Sequence, residues 1–289
     1  YFNMVAGVSA ATIIGNIAWG LGYFGQPHII TRFMALRSPS EAKAARRTGT
    51  IWVAICYLGG IFTALVATVY FGQKSASVTD QSGYETVFLD LARIMFHPLI
   101  AGIVLTAVLA AIMSTMSSQL LVTSSALIED IYRIFKKNPN NTTLLVLSRA
   151  MVIGIALIGM LLALNPSDTI LGLVGFAWAG FGAAFGPVVV ASLYWKRLTS
   201  QGAIAGMIVG AVTSFVWGSV DALNGIIYEI VPGVILATLA MVIVSLATRP
   251  KEGVEEEFDT AAAATDYALA HPDEDFAAAL RNRGGSTAV

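Results

Sequence analysis

The chain alternates between long apolar stretches and short polar connections. A helix that crosses the hydrocarbon core of a bilayer needs about 20 mostly apolar residues. Seven stretches have that length and composition, and they lie at residues 3–25, 48–72, 98–128, 142–164, 168–194, 201–220 and 225–248. The segment between the second and third stretches is first polar and then amphipathic, which predicts a short surface helix near residues 84–96. The pattern therefore predicts an all-α integral membrane protein with seven spans.

The composition favours a membrane protein over a soluble one. Of the 289 residues, 56% are hydrophobic and 12% are charged, whereas soluble domains carry about 25% charged residues. The net charge of −1 gives no indication of a nucleic-acid partner, and we expect none. The single cysteine, Cys56, cannot build a disulfide framework or a zinc site. Because no phosphate-binding loop, nucleophile motif or histidine cluster is present, we expect no enzymatic activity and no catalytic residues.

The basic residues predict the orientation of the spans. Lysine and arginine concentrate in the loops on the cytoplasmic side of a membrane protein. In this chain they concentrate in every second loop: Arg32, Arg37, Lys43, Arg46, Arg47, Arg133, Lys136, Lys137, Lys196, Arg197, Arg249 and Lys251. The long loop between the second and third spans carries only Lys74 and Arg93. The alternation predicts that the N-terminal end lies outside and the C-terminus lies in the cytoplasm.

The two ends of the chain differ in character. The sequence begins at Tyr1 without a basic leader region or a cleavage site, so we expect a fragment whose N-terminal part is absent. Residues 1–250 are expected to form one transmembrane helical domain. Residues 251–289 are expected to form an acidic, alanine-rich cytoplasmic tail that is solvated, partly helical and disordered towards its end.

The first apolar stretch ends in a segment that disfavours a regular helix, "NIAWGLGYFGQPH" at residues 16–28. Its glycines and Pro27 weaken a helix, and unwound backbone in a membrane is tolerated only where protein or a water-filled cavity satisfies it. Trp19 and Tyr23 are four residues apart and share a helical face, which Asn16 and Pro27 extend. Broken helices of this type form the substrate sites of secondary transporters. The alternative interpretation is an aromatic belt at the membrane surface, and both remain open.

A stripe of hydroxyl groups crosses the third apolar stretch in "AAIMSTMSSQLL", residues 110–121. Ala111, Ser114 and Thr115 share a helical face, and hydroxyl and carbonyl oxygens are suitable ligands for a hard cation such as Na⁺. Serine and threonine in membrane helices also bond to their own helix or join helices together, which is the competing interpretation. Gln119 follows on the same helix and needs a polar partner inside a membrane.

The fifth stretch contains the glycine-rich segment "GFAWAGFGAAFGP", residues 175–187. Its glycines allow helices to approach closely and Pro187 permits a bend, so we interpret this segment as a packing surface.

The coupling ion is indicated by an absence in the sequence. The centres of the predicted spans contain no aspartate or glutamate. A proton relay through a membrane normally requires an acid or a histidine at such depth. The sequence therefore favours a metal ion over a proton.

Four segments together resemble the sodium:solute symporter family, and within it the bacterial members that transport L-proline. These are "NIAWGLGYFGQPHIITRFMALRS", "AAIMSTMSSQLLVTSSALIEDIYR", "AWAGFGAAFGPVVVASLYWKR" and "YEIVPGVI", and the resemblance runs from residue 1 to about residue 250. It implies the leucine-transporter-like fold, which has two inverted five-helix repeats. This chain resembles the second repeat followed by two further helices.

The resemblance also implies a function and its residues. Trp19, Tyr23 and Pro27 match positions tied to proline binding and inner-side gating, and we add Asn16 and Gln119 as candidates for the substrate site. The stripe of Ala111, Ser114 and Thr115 matches the sodium-binding positions.

The expected function is sodium-coupled symport of L-proline by alternating access, with Na⁺ as coupling ion. The expected location is the bacterial cytoplasmic membrane, with lipid around the protein and no obligate protein partner. Two alternatives stay open, which are symport of another small solute and a transporter-like sensor module. The short acidic tail argues against the sensor, because it cannot hold a kinase domain. A channel is disfavoured because the sequence contains no ring of charges and no carbonyl-rich filter.

Overall fold

The computed structural model describes residues 7–73, 81–136, 140–164 and 169–271. These parts of the chain are helical and contain no β-strand. The helices are α1 (Ala10–Ala18), α2 (Pro27–Met34), α3 (Glu41–Gln73), α4 (Gln81–Met95), α5 (Pro98–Ser125), α6 (Arg133–Phe135), α7 (Asn141–Ala163), α8 (Ile170–Tyr194), α9 (Ser200–Ser219), α10 (Asp221–Asn224), α11 (Ile230–Ala247) and α12 (Val254–Ala270). A 3-10 segment, Trp19–Gly25, joins α1 to α2, and a π-helical turn, Ala126–Tyr132, joins α5 to α6. The prediction of an all-α integral membrane protein is confirmed.

Within the described residues, six helices are long and apolar enough to cross a membrane. By length and composition they are Glu41–Gly72, Pro98–Ile128, Asn141–Ala163, Ile170–Tyr194, Ser200–Ser219 and Ile230–Ala247. They correspond to six of the seven predicted spans. The remaining one, residues 3–25, begins outside the described residues, and its described part is the short helix α1 followed by the 3-10 segment. The count of seven spans and the leucine-transporter-like arrangement therefore stay predictions. The surface helix predicted near residues 84–96 is α4.

The helices form two compact units. One unit is drawn from Tyr1–Gly49 and Leu171–Val289, and the other is Thr50–Ile170. We call them the first unit and the second unit and describe each by itself.

In the first unit, α9 packs against α11 through glycines spaced one turn apart. Gly202, Gly206 and Gly210 are all buried. A β-carbon on Gly206 would lie 2.9 Å from Cβ of Met241, closer than real side chains approach. A β-carbon on Gly210 would lie 3.0 Å from Cβ of Ala237. Small residues at this spacing let two helix backbones come close, which is how membrane helices gain packing energy.

A proline in the interior of α8 lies one turn after the residue that contacts α9. Pro187 has no N–H group, so it cannot donate the helical hydrogen bond to the carbonyl of Ala183. Gly210 of α9 lies directly against this carbonyl group, and a β-carbon there would lie 2.7 Å from the Ala183 carbonyl carbon. The carbonyl that lacks its helical donor and the contact glycine of α9 are therefore adjacent.

A buried hydroxyl group fixes the beginning of α9. Thr199 is the N-cap, and its Oγ1 accepts a hydrogen bond of 3.1 Å from the Gly202 backbone N–H. The Thr199 N–H donates to Oγ of Ser245 at 3.3 Å, and the Thr199 and Thr248 hydroxyls are 2.7 Å apart. These bonds satisfy polar groups that would otherwise be buried without partners, and they join the start of α9 to the end of α11.

The acidic segment after residue 250 contains α12. Asp259 on this helix forms an ion pair with Lys196, which lies in the connection between α8 and α9. The Lys196 ammonium also lies 5.7 Å from the centre of the Phe258 ring. Residues 272–289, the predicted disordered end of the tail, lie outside the described residues.

In the second unit, α5 and α7 pack against each other near their polar ends. The Ser124 hydroxyl is buried and donates to the backbone carbonyl of Ser148 at 3.1 Å. The Glu85 carboxylate on α4 accepts a 2.7 Å hydrogen bond from the backbone N–H of Ile170. The bond from Ser124 satisfies a hydroxyl group that is buried in the contact between the two helices. The bond from Ile170 satisfies an N–H group at the beginning of a helix, which has no partner within that helix.

Candidate functional site

The first helix of the chain is broken where its glycines and proline predict. Helix α1 begins after Ser9, whose side chain accepts a hydrogen bond from the Thr12 N–H, and it ends at Ala18. The next seven residues form the 3-10 segment, and Gln26 then adopts an extended conformation with φ −90° and ψ 110°. Pro27 is the first residue of α2, the helical position that tolerates a missing N–H.

The 3-10 geometry changes which residues share a face. A 3-10 helix has three residues per turn, so residues three apart lie one above the other. Trp19, Gly22 and Gly25 therefore form one row, and both glycines are buried. The four-residue spacing of an α-helix instead places Trp19 with Tyr23, so it does not predict this row.

The row of the 3-10 segment lies against α8 with no room for side chains at its glycines. A β-carbon on Gly22 would lie 2.6 Å from Cε2 of Trp178 and closer still to Nε1 of that indole. A β-carbon on Gly25 would lie 2.7 Å from Cα of Gly182. The packing role predicted for the glycines of residues 175–187 holds for Gly182, whereas Gly180 has no atom within 4 Å of its β-carbon position.

Four aromatic rings gather at this contact. The rings of Trp19 and Trp178 stack with centroids 5.3 Å apart and an interplanar angle of 14°. Tyr23 meets Trp178 edge to face at 4.8 Å and 83°. Tyr228, which precedes α11, lies nearly parallel to Trp19 at 6.0 Å. Such pairs are worth about 0.5–1.5 kcal/mol each beyond the area they bury.

The polar atoms of the cluster donate to backbone carbonyls. Trp178 Nε1 donates to the carbonyl oxygen of Trp19 at 2.9 Å, and the Tyr228 hydroxyl donates to that of Gly175 at 2.6 Å. The Gln26 amide is buried and its Nε2 donates to the Trp178 carbonyl at 3.2 Å. We call Trp19, Tyr23, Gln26, Trp178 and Tyr228 the aromatic cluster.

The predicted substrate residues have different places in the structure. Trp19 and Tyr23 both contact Trp178, so the structure brings these two together. Asn16 is exposed on α1, and Pro27 is half-buried at the start of α2. Gln119 is exposed on α5, in the second unit.

Three members of the cluster were missed from the sequence: Gln26, Trp178 and Tyr228. One signal for Trp178 was available. Tryptophan in membrane proteins concentrates at the two interfaces, whereas Trp178 lies well inside the span Ile170–Tyr194. An indole N–H at that depth needs an acceptor, so a polar partner could have been expected.

The predicted ion-binding stripe lies on α5 in the second unit. Ala111, Ser114 and Thr115 are exposed in the described structure. The Thr115 hydroxyl donates to the Ala111 carbonyl at 3.1 Å, and Ser118 donates to the Ser114 carbonyl at 3.0 Å. Each hydroxyl oxygen keeps lone pairs after donating its proton, so the stripe can still offer neutral oxygens to a cation.

A site for another metal would need a cluster of acidic, histidine or cysteine side chains. Within the described parts of the chain, no group of three or more such residues could hold a metal ion. The neutral oxygens of the stripe suit a hard monovalent ion, which does not require such a group.

Comparison with known sequences identifies the family. The sequence model described as "Sodium:solute symporter family" matches residues 4–210. The chain belongs to the sodium:solute symporter family. This confirms the resemblance seen in the sequence, and with the six apolar helices it makes the chain a multi-pass membrane protein.

Individual members of the family match over most of this chain. The chain is 47% identical over 260 residues to the high-affinity proline transporter PutP of Bacillus subtilis, which covers 89% of this chain and 54% of that relative. It is 45% identical over 260 residues to the sodium/proline symporter of Escherichia coli, which covers 89% of this chain and 51% of the relative. The chain thus spans about half the length of the curated relatives it matches. No solved structure matched the chain significantly.

Proposed function

We propose that the protein carries out sodium-coupled symport of L-proline by alternating access. The observation that carries this proposal is the identity of 45–47% to relatives described as proline transporters or sodium/proline symporters. The broken first helix with its aromatic cluster supports it, because secondary transporters build substrate sites at such breaks. The membrane would be the bacterial cytoplasmic membrane, with the N-terminal end outside and the C-terminus in the cytoplasm.

The substrate side of the proposal rests on the 3-10 segment. L-Proline has an apolar ring and a zwitterionic backbone. The ring would pack on the aromatic faces of Trp19 and Tyr23, and the exposed amide of Asn16 is a candidate for the polar groups. Pro27 begins the helix that follows the break and is a candidate for inner-side gating. Gln119, which belongs to the second unit, stays a candidate on the strength of the sequence.

The ion side rests on the stripe of α5. The Ala111 carbonyl and the hydroxyls of Ser114 and Thr115 would supply neutral oxygens to Na⁺. The Thr115 hydroxyl donates to the Ala111 carbonyl at 3.1 Å, so both oxygens would have to use their remaining lone pairs for the ion. No aspartate or glutamate lies within the six spans except Glu41 at the first residue of its helix, which favours a metal ion over a proton.

Coupling follows from linkage between the two sites. If Na⁺ binding stabilises the conformation that binds proline, Na⁺ raises the affinity for proline. Proline must then raise the affinity for Na⁺ by the same factor. The proposal therefore makes a reciprocal statement that equilibrium binding can test.

Uptake measurements test the proposal directly. The complete reading frame that encodes this chain is expressed in a bacterial strain without proline transporters, and uptake of labelled L-proline is measured in NaCl and in choline chloride of equal ionic strength. We expect uptake in NaCl, little uptake in choline chloride, and competition by unlabelled proline but not by other amino acids. Uptake that is the same in both salts would show that sodium is not the coupling ion. Uptake of another labelled solute in NaCl, without uptake of labelled proline, would replace proline as the substrate.

A further inference from the structure

A single residue of α8, Trp178, contacts the 3-10 segment at both of its ends. Its indole N–H donates to the carbonyl of Trp19, the first residue of the segment, at 2.9 Å. Its backbone carbonyl accepts from the side chain of Gln26, the residue directly after the segment, at 3.2 Å. Between these two bonds, the indole lies against the backbone of Gly22. Trp178 therefore contacts both ends of the seven residues Trp19–Gly25, through its indole at the first end and through its backbone carbonyl at the second.

These two hydrogen bonds of Trp178 stabilise a part of the backbone that is not α-helical. The seven-residue 3-10 segment closes its own i→i+3 hydrogen bonds, but their geometry is poorer than in an α-helix, so a run of this length gains stability from partners on other elements. The Trp19 carbonyl has such a partner in the indole N–H of Trp178, and the indole also stacks on the Trp19 ring. The same indole meets the Tyr23 ring edge to face. Trp178 thus orients both aromatic residues that the proposed function assigns to the substrate.

We propose that Trp178 is the positioning residue of the substrate site. Its indole–carbonyl bond holds the 3-10 segment against α8 so that Trp19 and Tyr23 present their rings to the substrate in one fixed orientation. The inference rests on the proposed function for the identity of the substrate. It makes a claim about the 3-10 segment itself that does not depend on transport.

The decisive variant is Trp178→Phe in the complete reading frame that encodes this chain. Phenylalanine keeps an aromatic ring against Gly22 and removes the N–H donor. We expect the backbone amides of residues 19–26 to exchange with deuterium roughly three- to tenfold faster, which is the worth of one lost hydrogen bond. The half-saturation constant for proline should rise by a similar factor, and the sodium concentration for half-maximal uptake at saturating proline should stay unchanged.

A matched control is available in the same unit. Trp217 on α9 also donates from its indole Nε1 to a backbone carbonyl, that of Ile227, at 3.0 Å. Trp217→Phe therefore makes the same change in volume and removes the same type of hydrogen bond, but its acceptor does not belong to the 3-10 segment. In Trp217→Phe we expect faster deuterium exchange of the backbone amides near residue 227 and unchanged exchange in residues 19–26. The half-saturation constant for proline should also stay unchanged.

The outcomes separate the inference from general destabilisation and from the proposed function. Faster exchange in residues 19–26 in Trp178→Phe alone, with a raised proline constant, supports the inference. Unchanged deuterium exchange of residues 19–26 in Trp178→Phe would overturn the inference and leave Trp178 a packing residue. An equal rise of the half-saturation constant for proline in Trp178→Phe and Trp217→Phe would overturn it as well. If the unsubstituted protein transports no proline, the proposed function fails, whereas the exchange measurement still decides whether Trp178 holds the segment.

Discussion

The contact between the 3-10 segment and α8 makes a quantitative prediction for Gly25→Ala. A β-carbon at Gly25 would lie 2.7 Å from Cα of Gly182 and 2.8 Å from the carbonyl carbon of Phe181. Both obstacles are backbone atoms of a membrane-spanning helix, so they cannot move aside as a flexible side chain can. Gly25→Ala should therefore push the segment away from α8.

Gly20 offers a control within the same segment. No atom lies within 4 Å of a β-carbon built on Gly20. Among the described glycines only Gly7 and Gly253 have positive φ, so alanine is conformationally allowed at both positions 20 and 25. Replacing glycine by alanine at an allowed position stabilises a protein by about 0.4–1 kcal/mol through the unfolded chain. This term is common to the two variants and cancels in their difference.

The remaining difference is the overpacking at Gly25. Forcing an extra carbon into a closely packed contact costs about 1–3 kcal/mol. At about 2–4 °C per kcal/mol, Gly25→Ala should unfold about 2–12 °C below Gly20→Ala. The assay is the fraction of purified protein that remains monodisperse in size-exclusion chromatography after stepwise heating in detergent.

An independent pair repeats the comparison from the α8 side. Gly182→Ala would bring a β-carbon to 2.7 Å from Cα of Gly22, whereas Gly180 is open. If Gly25→Ala and Gly20→Ala unfold at the same temperature, the close approach of the 3-10 segment to α8 is not present in the protein, and the aromatic cluster described above would lose its basis.

Three further predictions concern the ion site, the orientation and the acidic helix. Thr115→Val should raise the sodium concentration for half-maximal proline uptake by roughly 5- to 150-fold, if the loss of one oxygen ligand from the bound ion costs as much as an unsatisfied polar group, about 1–3 kcal/mol. Thr115→Ser keeps the oxygen and should be mild. Unchanged sodium dependence of Thr115→Val would assign the stripe to helix packing. In a cysteine-free background, an impermeant thiol reagent added to intact cells should label Ala222→Cys and spare Ser200→Cys, and the reverse pattern would invert the predicted orientation. Asp259→Asn should lower the unfolding midpoint by at most about 3 °C at low salt, because its ion pair with Lys196 is exposed to solvent. In 1 M salt the pair is screened and the substitution should have no effect. A larger decrease of the midpoint would mean that α12 is held mainly by this ion pair.

The spans could be predicted from the sequence because membrane insertion depends on a local property. A stretch of about 20 apolar residues satisfies the thickness of the hydrocarbon core whatever its neighbours are. The six helices that are long enough to cross a membrane agree with six predicted stretches. The break after α1 was predictable for the same reason, since Gly22, Gly25 and Pro27 act on the backbone of their own segment.

The internal geometry of the break was not predictable to the same degree. The sequence allows an α-helical or a 3-10 continuation through residues 19–25, and the two differ in which side chains share a face. The structure has the 3-10 form, whose period of three brings both buried glycines to α8. Close packing against a neighbouring helix selects this form, and a single segment carries no information about that neighbour.

The sequence by itself determined the membrane spans, the position of the broken helix and the family. Only the tertiary structure decided which residues complete the cluster around the break. Trp178 and Trp19 are 159 residues apart in the chain, yet their rings stack and the indole of one bonds to the carbonyl of the other. The physical reason is that the i→i+3 bonds of a 3-10 segment are weaker than those of an α-helix, so the segment gains stability from hydrogen-bond partners on another helix. Which helix supplies them depends on the packing of the whole unit.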